Sequence, residues 1–271
     1  MSERPSLYRP PPGHPLAAYV EIIFRVRRDT PFRHEIFLPR GTVDLLFNLG
    51  EPMHATGLPH AYVAREGSAW VGGLKTLPYT VRPQGAMNLV GVNLRADTCA
   101  ALMPVAPAEV VNAEAHDLPG AAAMGLLAEQ LHEADDFDAQ CALLLRWIAR
   151  RLRPPRAADA VRHACSLLRR LPAHDAVRAT AKSLAVSPRH LRRLVGEHVG
   201  VGPAEYVRLT RFIESLHRIG APGPTLTRVA LAAGYYDQAH FCRDFRSFSG
   251  MTPQEYRARA NGVVVGQIVE E

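Results

Sequence analysis

The feature that most constrains this chain is a segment that repeats at an offset of fifty residues. Residues 187–206 read S-P-R-H-L-R-R-L-V-G-E-H-V-G-V-G-P-A-E-Y, and residues 237–256 read D-Q-A-H-F-C-R-D-F-R-S-F-S-G-M-T-P-Q-E-Y. His190 falls on His240, Arg193 on Arg243, Gly200 on Gly250, and the Pro203, Glu205, Tyr206 set on Pro253, Glu255, Tyr256. Apolar positions match as well: Leu191 with Phe241, and Val195 with Phe245. One helical unit is therefore written twice, which suggests a chain that grips something at two places.

Each copy reads as a helix with a defined start. Ser187 and Asp237 suit the N-cap, and Pro188 suits the first helical position. Phe241, Phe245 and Phe248 fall at i, i+4, i+7 on one buried stripe. On that wheel Ala239, Arg243, Arg246 and Ser247 point away, with His240 on the flank. In the first copy Leu191, Leu194 and Val195 face inward, so Arg189 and Arg193 face outward, with His190 and Arg192 beside them. A shorter apolar helix and a tight turn precede each copy, and Gly234 can end the second of these in the left-handed conformation. The two upstream halves align only with a slip of about one residue. Helix, short turn, then a helix with a basic outer face is the helix-turn-helix plan for DNA.

The run A-L-A-A-G-Y-Y-D-Q-A-H-F-C-R-D-F-R-S-F-S-G-M-T-P-Q-E-Y-R resembles the C-terminal signature of the AraC/XylS family of bacterial transcriptional regulators, and the resemblance covers residues 176–259. It implies two helix-turn-helix units joined by a long helix, with recognition helices entering successive major-groove faces of double-stranded DNA roughly 34 Å apart. The joining helix would run over Pro203–Ile219, roughly 25 Å at about 1.5 Å per residue. The resemblance places DNA-contacting side chains at Arg193 and Arg243, at Arg189, His190 and Arg192, and at Gln238, Ala239 and His240. Arg can read guanine bidentately, and Gln238 could read adenine. Ser187 and Arg246 are better placed for phosphates. Any of these residues would also be at home on a solvated face. Three departures stand out: Gly196 interrupts the first recognition helix, Ala239 replaces a polar reader, and Asp244 would repel phosphate if it swung outward.

Charge supports this division. Residues 161–260 carry a net +9 and the remainder −3, within a chain total of +6. A basic third on a mildly acidic remainder suggests a nucleic-acid module beside a different kind of domain. Cys99, Cys141, Cys165 and Cys242 are far apart, with no C-x-x-C. No zinc ribbon or redox motif is expected. A switch at Cys242 is conceivable, but a small packing residue is the ordinary role. No signal peptide or membrane span is legible, and a reducing cytoplasm fits.

The N-terminal half reads as short β-branched runs split by Gly, Pro and Asn up to about Leu94, a compact antiparallel sheet or barrel. Residues 1–15 read as extended, and 51–68 as a long loop. Sensor halves of the AraC/XylS family are cupin-related barrels, and this segment is similar in kind. L-P-R-G-T-V-D-L-L-F-N-L-G, residues 38–50, also resembles a subset of family members. His34, His54 and His60 form no H-x-H pair, so no metal site is expected. Asp44 shares its strand face with Leu46 and Asn48, where it could line an effector pocket or cap a polar network. A short helix from Ala96 would end at Pro104. A helical hairpin follows over Ala121–Glu133 and 137–152, covering the barrel; the resemblance implies a homodimer contact there. Residues 150–156 form a stiff, basic linker, and 157–171 open the next domain. The tail from Asn261 could add a strand to a sheet or an interface.

The expected architecture is α+β: a β-rich, cupin-like sensor with a helical hairpin over residues 1–153, then an all-α pair of helix-turn-helix units over 157–260. Length leaves room for a core in each part. The expected function is a sequence-specific transcriptional regulator, by preference an activator contacting RNA polymerase, whose N-terminal part senses a small molecule. No cofactor, metal or catalytic residue is expected. Two alternatives stand beside it: a signal-independent DNA binder whose N-terminal half only dimerises, and an enzyme targeted by its DNA-binding module. DNA-repair proteins of the second kind use clustered cysteines, which this chain lacks.

Overall fold

The computed structural model describes residues 5–29, 34–103, 105–115, 121–171, 175–220, 223–259 and 267–270. Its N-terminal part is two facing antiparallel sheets. One holds β1 (Ser6–Tyr8), β2 (Val20–Arg28), β9 (Met87–Arg95), β4 (Thr42–Asn48), β7 (Ala69–Gly72) and β10 (Glu114–Ala115), in that spatial order. The other is ordered β11 (Gln267–Glu270), β3 (His34–Phe37), β8 (Tyr79–Pro83), β5 (Met53–Thr56), β6 (Tyr62–Ala64). The stretch 51–68, expected as a loop, contributes β5 and β6, which pair with each other. At four and three residues, M-H-A-T and Y-V-A, these strands are too short to show alternation in the sequence.

Strand β4 explains the layering. V-D-L-L-F-N is nearly continuous in apolar residues because both of its faces are covered. Val43, Leu45 and Phe47 join the main core on one face, while Leu46 joins a second cluster with Met53, Ala64, Trp70 and Met87 between the sheets. The outer face of the six-stranded sheet is covered by a hairpin of α2 (Ala121–Glu133) and α3 (Phe137–Arg151). Leu127, Leu131, Leu144 and Ile148 are buried there. Asp136 caps α3 by accepting from Ala139 N at 2.8 Å, and Gln140 Nε2 donates to Leu131 O at 2.8 Å across the turn.

Between sheet and hairpin lie two 3-10 turns, Ala96–Thr98 and Pro107–Val110, and the single turn α1 (Cys99–Leu102). Pro104, the expected stop for that helix, lies outside the described residues. The C-terminal part is helical: α4 (Ala158–Arg170), α5 (Ala176–Ser183), α6 (Pro188–Val199), α7 (Pro203–Ile219), α8 (Leu226–Ala232), α9 (Gln238–Ser249) and α10 (Pro253–Arg259). Length left room for a core in each part, but the structure joins them in one apolar cluster running from Val43 and Phe47 through Leu102 and Val110 to Leu191, Val199 and Phe212. Gly200 shows how closely they meet: a Cβ there would lie 2.8 Å from Pro107 O.

Candidate nucleic-acid interface

The two repeats become α6 and α9, each the second helix of a helix-turn-helix. Ser187 Oγ accepts from His190 N at 3.1 Å, and Asp237 Oδ1 accepts from His240 N at 2.6 Å, so both helices start where the caps place them. Gly200 (φ 91°) and Gly250 (φ 74°) end both in the left-handed conformation. The turn before α9 uses Gly234 at φ 81°; the turn before α6 uses Ala185 at φ 52°. These residues differ by 49 positions, which locates the one-residue slip between the upstream halves.

Leu191, Leu194 and Val195 are buried, as are Phe241, Phe245 and Phe248. Arg189, His190, Arg192, Arg193, Gln238, Ala239, Arg243 and Arg246 are exposed, and His240 is intermediate. Ser187 is exposed, but its hydroxyl is engaged as the cap. Between the units, α7 is the connecting rod, over the expected span.

The two reading faces differ in their support. Arg193 Nη1 lies 3.4 Å from both carboxylate oxygens of Glu197 one turn on, and Nη2 is 3.5 Å from His190 Nδ1. The residue matching Glu197 in the second unit is Ser247, so Arg243 has no such carboxylate. Gln238 is held by a different device: its Oε1 accepts from Thr227 Oγ1 on α8 at 2.8 Å. Reading adenine engages both ends of the amide; here one acceptor position is already taken and the amino group is the freer end. Two expected departures resolve differently. Gly196 does not interrupt α6, which runs unbroken past it. Asp244 does not swing outward: its side chain is 7% exposed and paired with Arg208 of α7 at 2.9 Å. Partial burial raises the Cys242 thiol, which leaves it little thiolate. Glu197, Thr227 and Arg208 were not singled out by sequence; only the Arg193–Glu197 spacing at i, i+4 was there to find.

A second polar group lies between the sheets. Asp44 Oδ1 accepts from Asn93 Nδ2 at 2.6 Å and from Thr42 Oγ1 at 2.9 Å. Nearby, Lys75 Nζ meets Glu114 Oε1 at 2.9 Å, with side chains 6% and 5% exposed, and donates to Ala113 O at 2.7 Å. Glu114 Oε2 is buried without a hydrogen-bond partner of good geometry. Burial raises the Glu114 carboxyl against the pull of Lys75. A Cβ on Gly72 would lie 3.1 Å from Glu114 Oε2 and 3.5 Å from Asp44 Cβ, so the missing side chain lets these groups converge. Phe37 stacks on Tyr79 at 5.1 Å beside them. Among the described residues, no three His, Cys, Asp or Glu side chains are arranged to hold a metal ion, and no helix is long and apolar enough to cross a membrane.

Two capped helices with arginine-bearing outer faces, joined by the long helix α7, form a paired helix-turn-helix arrangement. The likeness to AraC/XylS regulators rests on the C-terminal part, residues 180–259. Residues 180–259 match a family described as a helix-turn-helix domain, and residues 8–116 match a domain of unknown function, DUF6597. The uncharacterized HTH-type transcriptional regulator YpdC of Escherichia coli K12 is 33% identical over 84 residues, 31% of this chain and 30% of that protein. The HTH-type transcriptional activator RhaS of Escherichia fergusonii is 32% identical over 79 residues, 29% of this chain and 28% of that protein. The chain thus spans under a third of the length of these two relatives. The fold as a whole is similar to that of ToxT from Vibrio cholerae O395, with a TM-score of 0.52 at 12% identity over 89% of this chain and 97% of ToxT.

Proposed function

We propose that this chain is a sequence-specific DNA-binding transcriptional regulator, with residues 157–260 reading DNA and residues 1–153 sensing a small effector between the two sheets. The observation that carries the DNA half is the pair of exposed arginine faces on α6 and α9, held apart by α7. The sensing half is supported by the convergence of Asp44 with the buried Glu114 and Lys75 side chains at Gly72. ToxT, which shares the fold, has been solved bound to (E)-4-(8-methylnaphthalen-1-yl)but-3-enoic acid, at a TM-score of 0.50 and 11% identity over 94% of this chain and 99% of that one. Activation through RNA polymerase is the mode in keeping with RhaS, and a cytoplasmic site and a non-enzymatic role go with it. Leu126 on α2, 62% exposed, is available to a homodimer contact through the hairpin.

The test is selection of duplex DNA from a random pool by the full chain, followed by anisotropy in a salt series. Arg193→Ala and Arg243→Ala should each weaken the selected site by about 1–3 kcal/mol and relax the base preference at one position. Enrichment of no sequence, or equal binding to scrambled DNA by all three proteins, would overturn the reading. A signal-independent dimeriser is separated by thermal shift of the full chain against a small-molecule panel. The sensor reading expects a hit that Asp44→Ala or Glu114→Gln abolishes.

A further inference from the structure

We infer that β3 is the element through which the sensor controls the second helix-turn-helix unit, because the chain's own C-terminal strand ties that unit back to β3. This rests on the sensor reading above and concerns how that site is coupled to DNA.

The two units are held by different sheets. The first belongs to the six-stranded sheet: α6 packs on the 3-10 turn that continues β9 and on the one that leads to β10. Gly200, at the end of α6, sits against Pro107 O. The second unit belongs to the other sheet. Its last helix, α10, ends at Arg259, and β11 then pairs antiparallel with β3, with Gln267 opposite Phe37, Ile268 opposite Ile36, Val269 opposite Glu35 and Glu270 opposite His34. The intervening residues 260–266 can span at most roughly 25 Å when extended, so the strand is a short leash. A second touch lies close by: a Cβ on Gly250, at the end of α9, would meet Pro78 Cγ at 3.8 Å, just before β8. The rod between the units contributes a third, since a Cβ on Gly41, in the β3–β4 turn, would lie 2.8 Å from Ile213 Cδ1 of α7.

Strand β3 also faces the space between the sheets. Glu35 is 1% exposed and paired with Arg28 at 3.5 Å, while Phe37 stacks on Tyr79 at 5.1 Å. A molecule lodged between the sheets therefore bears on the strand that carries the leash. The first recognition helix packs on turns of one sheet, and the second unit is tied to the other through β11, so changing how the sheets sit together changes how the helices are presented. Such coupling needs only that the ligand favour one arrangement over the other.

The experiment compares the full chain with a form ending at Arg259 and with the full-length double variant Ile268→Pro/Val269→Pro. The DNA site is first selected by the wild-type chain; if nothing is enriched, the DNA-binding reading fails and the leash is not at issue. Affinity is then measured on duplexes in which base pairs are inserted between the two half-sites. The wild type should lose about tenfold or more one base pair from its optimum, while both variants lose about threefold or less. Identical profiles in all three would mean that α7 alone sets the spacing, and would overturn the inference. Hydrogen exchange keeps the result interpretable: those amides among 35–37 that point to β11 should lose protection in both variants, while those pointing to β8 and the amides of β9 stay protected. Unchanged protection at 35–37 would show that the pairing does not exist in solution. In a Cys242→Ser background, Ile36→Cys/Ile268→Cys should close a disulfide within one chain; a disulfide only between chains would overturn the intrachain tie.

Discussion

Arg208 Nη2 on α7 lies 2.9 Å from Asp244 Oδ1 on α9, and Arg208 Nε lies 3.1 Å from the same oxygen. The carboxylate that threatened to repel DNA instead fastens the second recognition helix to the rod. His240 Nε2 stands 3.6 Å from the other oxygen, and the Arg208 guanidinium lies 5.4 Å from the centre of the Phe248 ring. Removing Arg208 leaves a buried carboxylate without its main partner. Arg208→Ala should destabilise the chain by about 1–3 kcal/mol, below the full cost of a broken buried pair because the arginine is half exposed. Urea unfolding monitors this; a loss within error of zero would mean Asp244 is solvated.

Two backbone positions in the first unit are open to improvement. Ala185 holds φ 52° without being glycine, while a Cβ on Gly196 would meet nothing within 4 Å. Ala185→Gly should stabilise by about 0.5–1 kcal/mol, the relieved left-handed strain exceeding the added chain entropy. Gly196→Ala should add about 0.5–1 kcal/mol by removing a flexible residue from a helix interior. The two gains should be nearly additive in melting experiments.

Glu197 restrains Arg193 and places a negative charge on the helix proposed to face DNA. Glu197→Ala should strengthen binding to all duplexes by about threefold to tenfold and steepen the salt dependence by about one ion. Discrimination at the base read by Arg193 should fall, because the fork is less fixed. Weaker binding to scrambled DNA would contradict this account.

The junction between the two parts should be pH-sensitive. Asp97 is pushed up by burial against the pull of Arg162, 3.7 Å away, and Glu21 across the same small cavity is pushed up by burial as well. A carboxyl raised in the folded state holds its proton more tightly there. Its contribution is therefore present at acid pH and lost as pH rises through the raised value. As pH rises above the ordinary carboxylate range the wild-type melting temperature should carry this downward component, and Asp97→Asn should flatten it. Parallel curves would show that Asp97 is not the titrating group.

Much of the interface was legible because local rules write it. The N-caps, the Phe241–Phe245–Phe248 stripe, the span of α7 and the outward Arg193 and Arg243 follow from periodicity and capping alone. The Asp44 face followed from strand alternation. What escaped was set by distant parts of the chain. Thr227 reaches Gln238 across a turn, Arg208 reaches Asp244 across two helices, and β11 reaches β3 across 230 residues of sequence between Phe37 and Gln267. No pattern within either partner announces such a pairing. Strands β5 and β6 were hidden for another reason: at four and three residues they are too short to alternate visibly.

Gly200 is pinned twice, by a φ of 91° and by a carbonyl where a side chain would begin. Its surroundings bear on modularity. Chains of this kind invite recombination, in which one sensor is grafted to another reader at the linker. Here the graft surface is not the linker but the end of the first recognition helix, so a foreign reader needs a glycine at that point and an apolar face to meet Val111. A reader freed of its own sensor would expose that same face to water. In this chain, then, the unit that recombination can move is the sensor and the reader together.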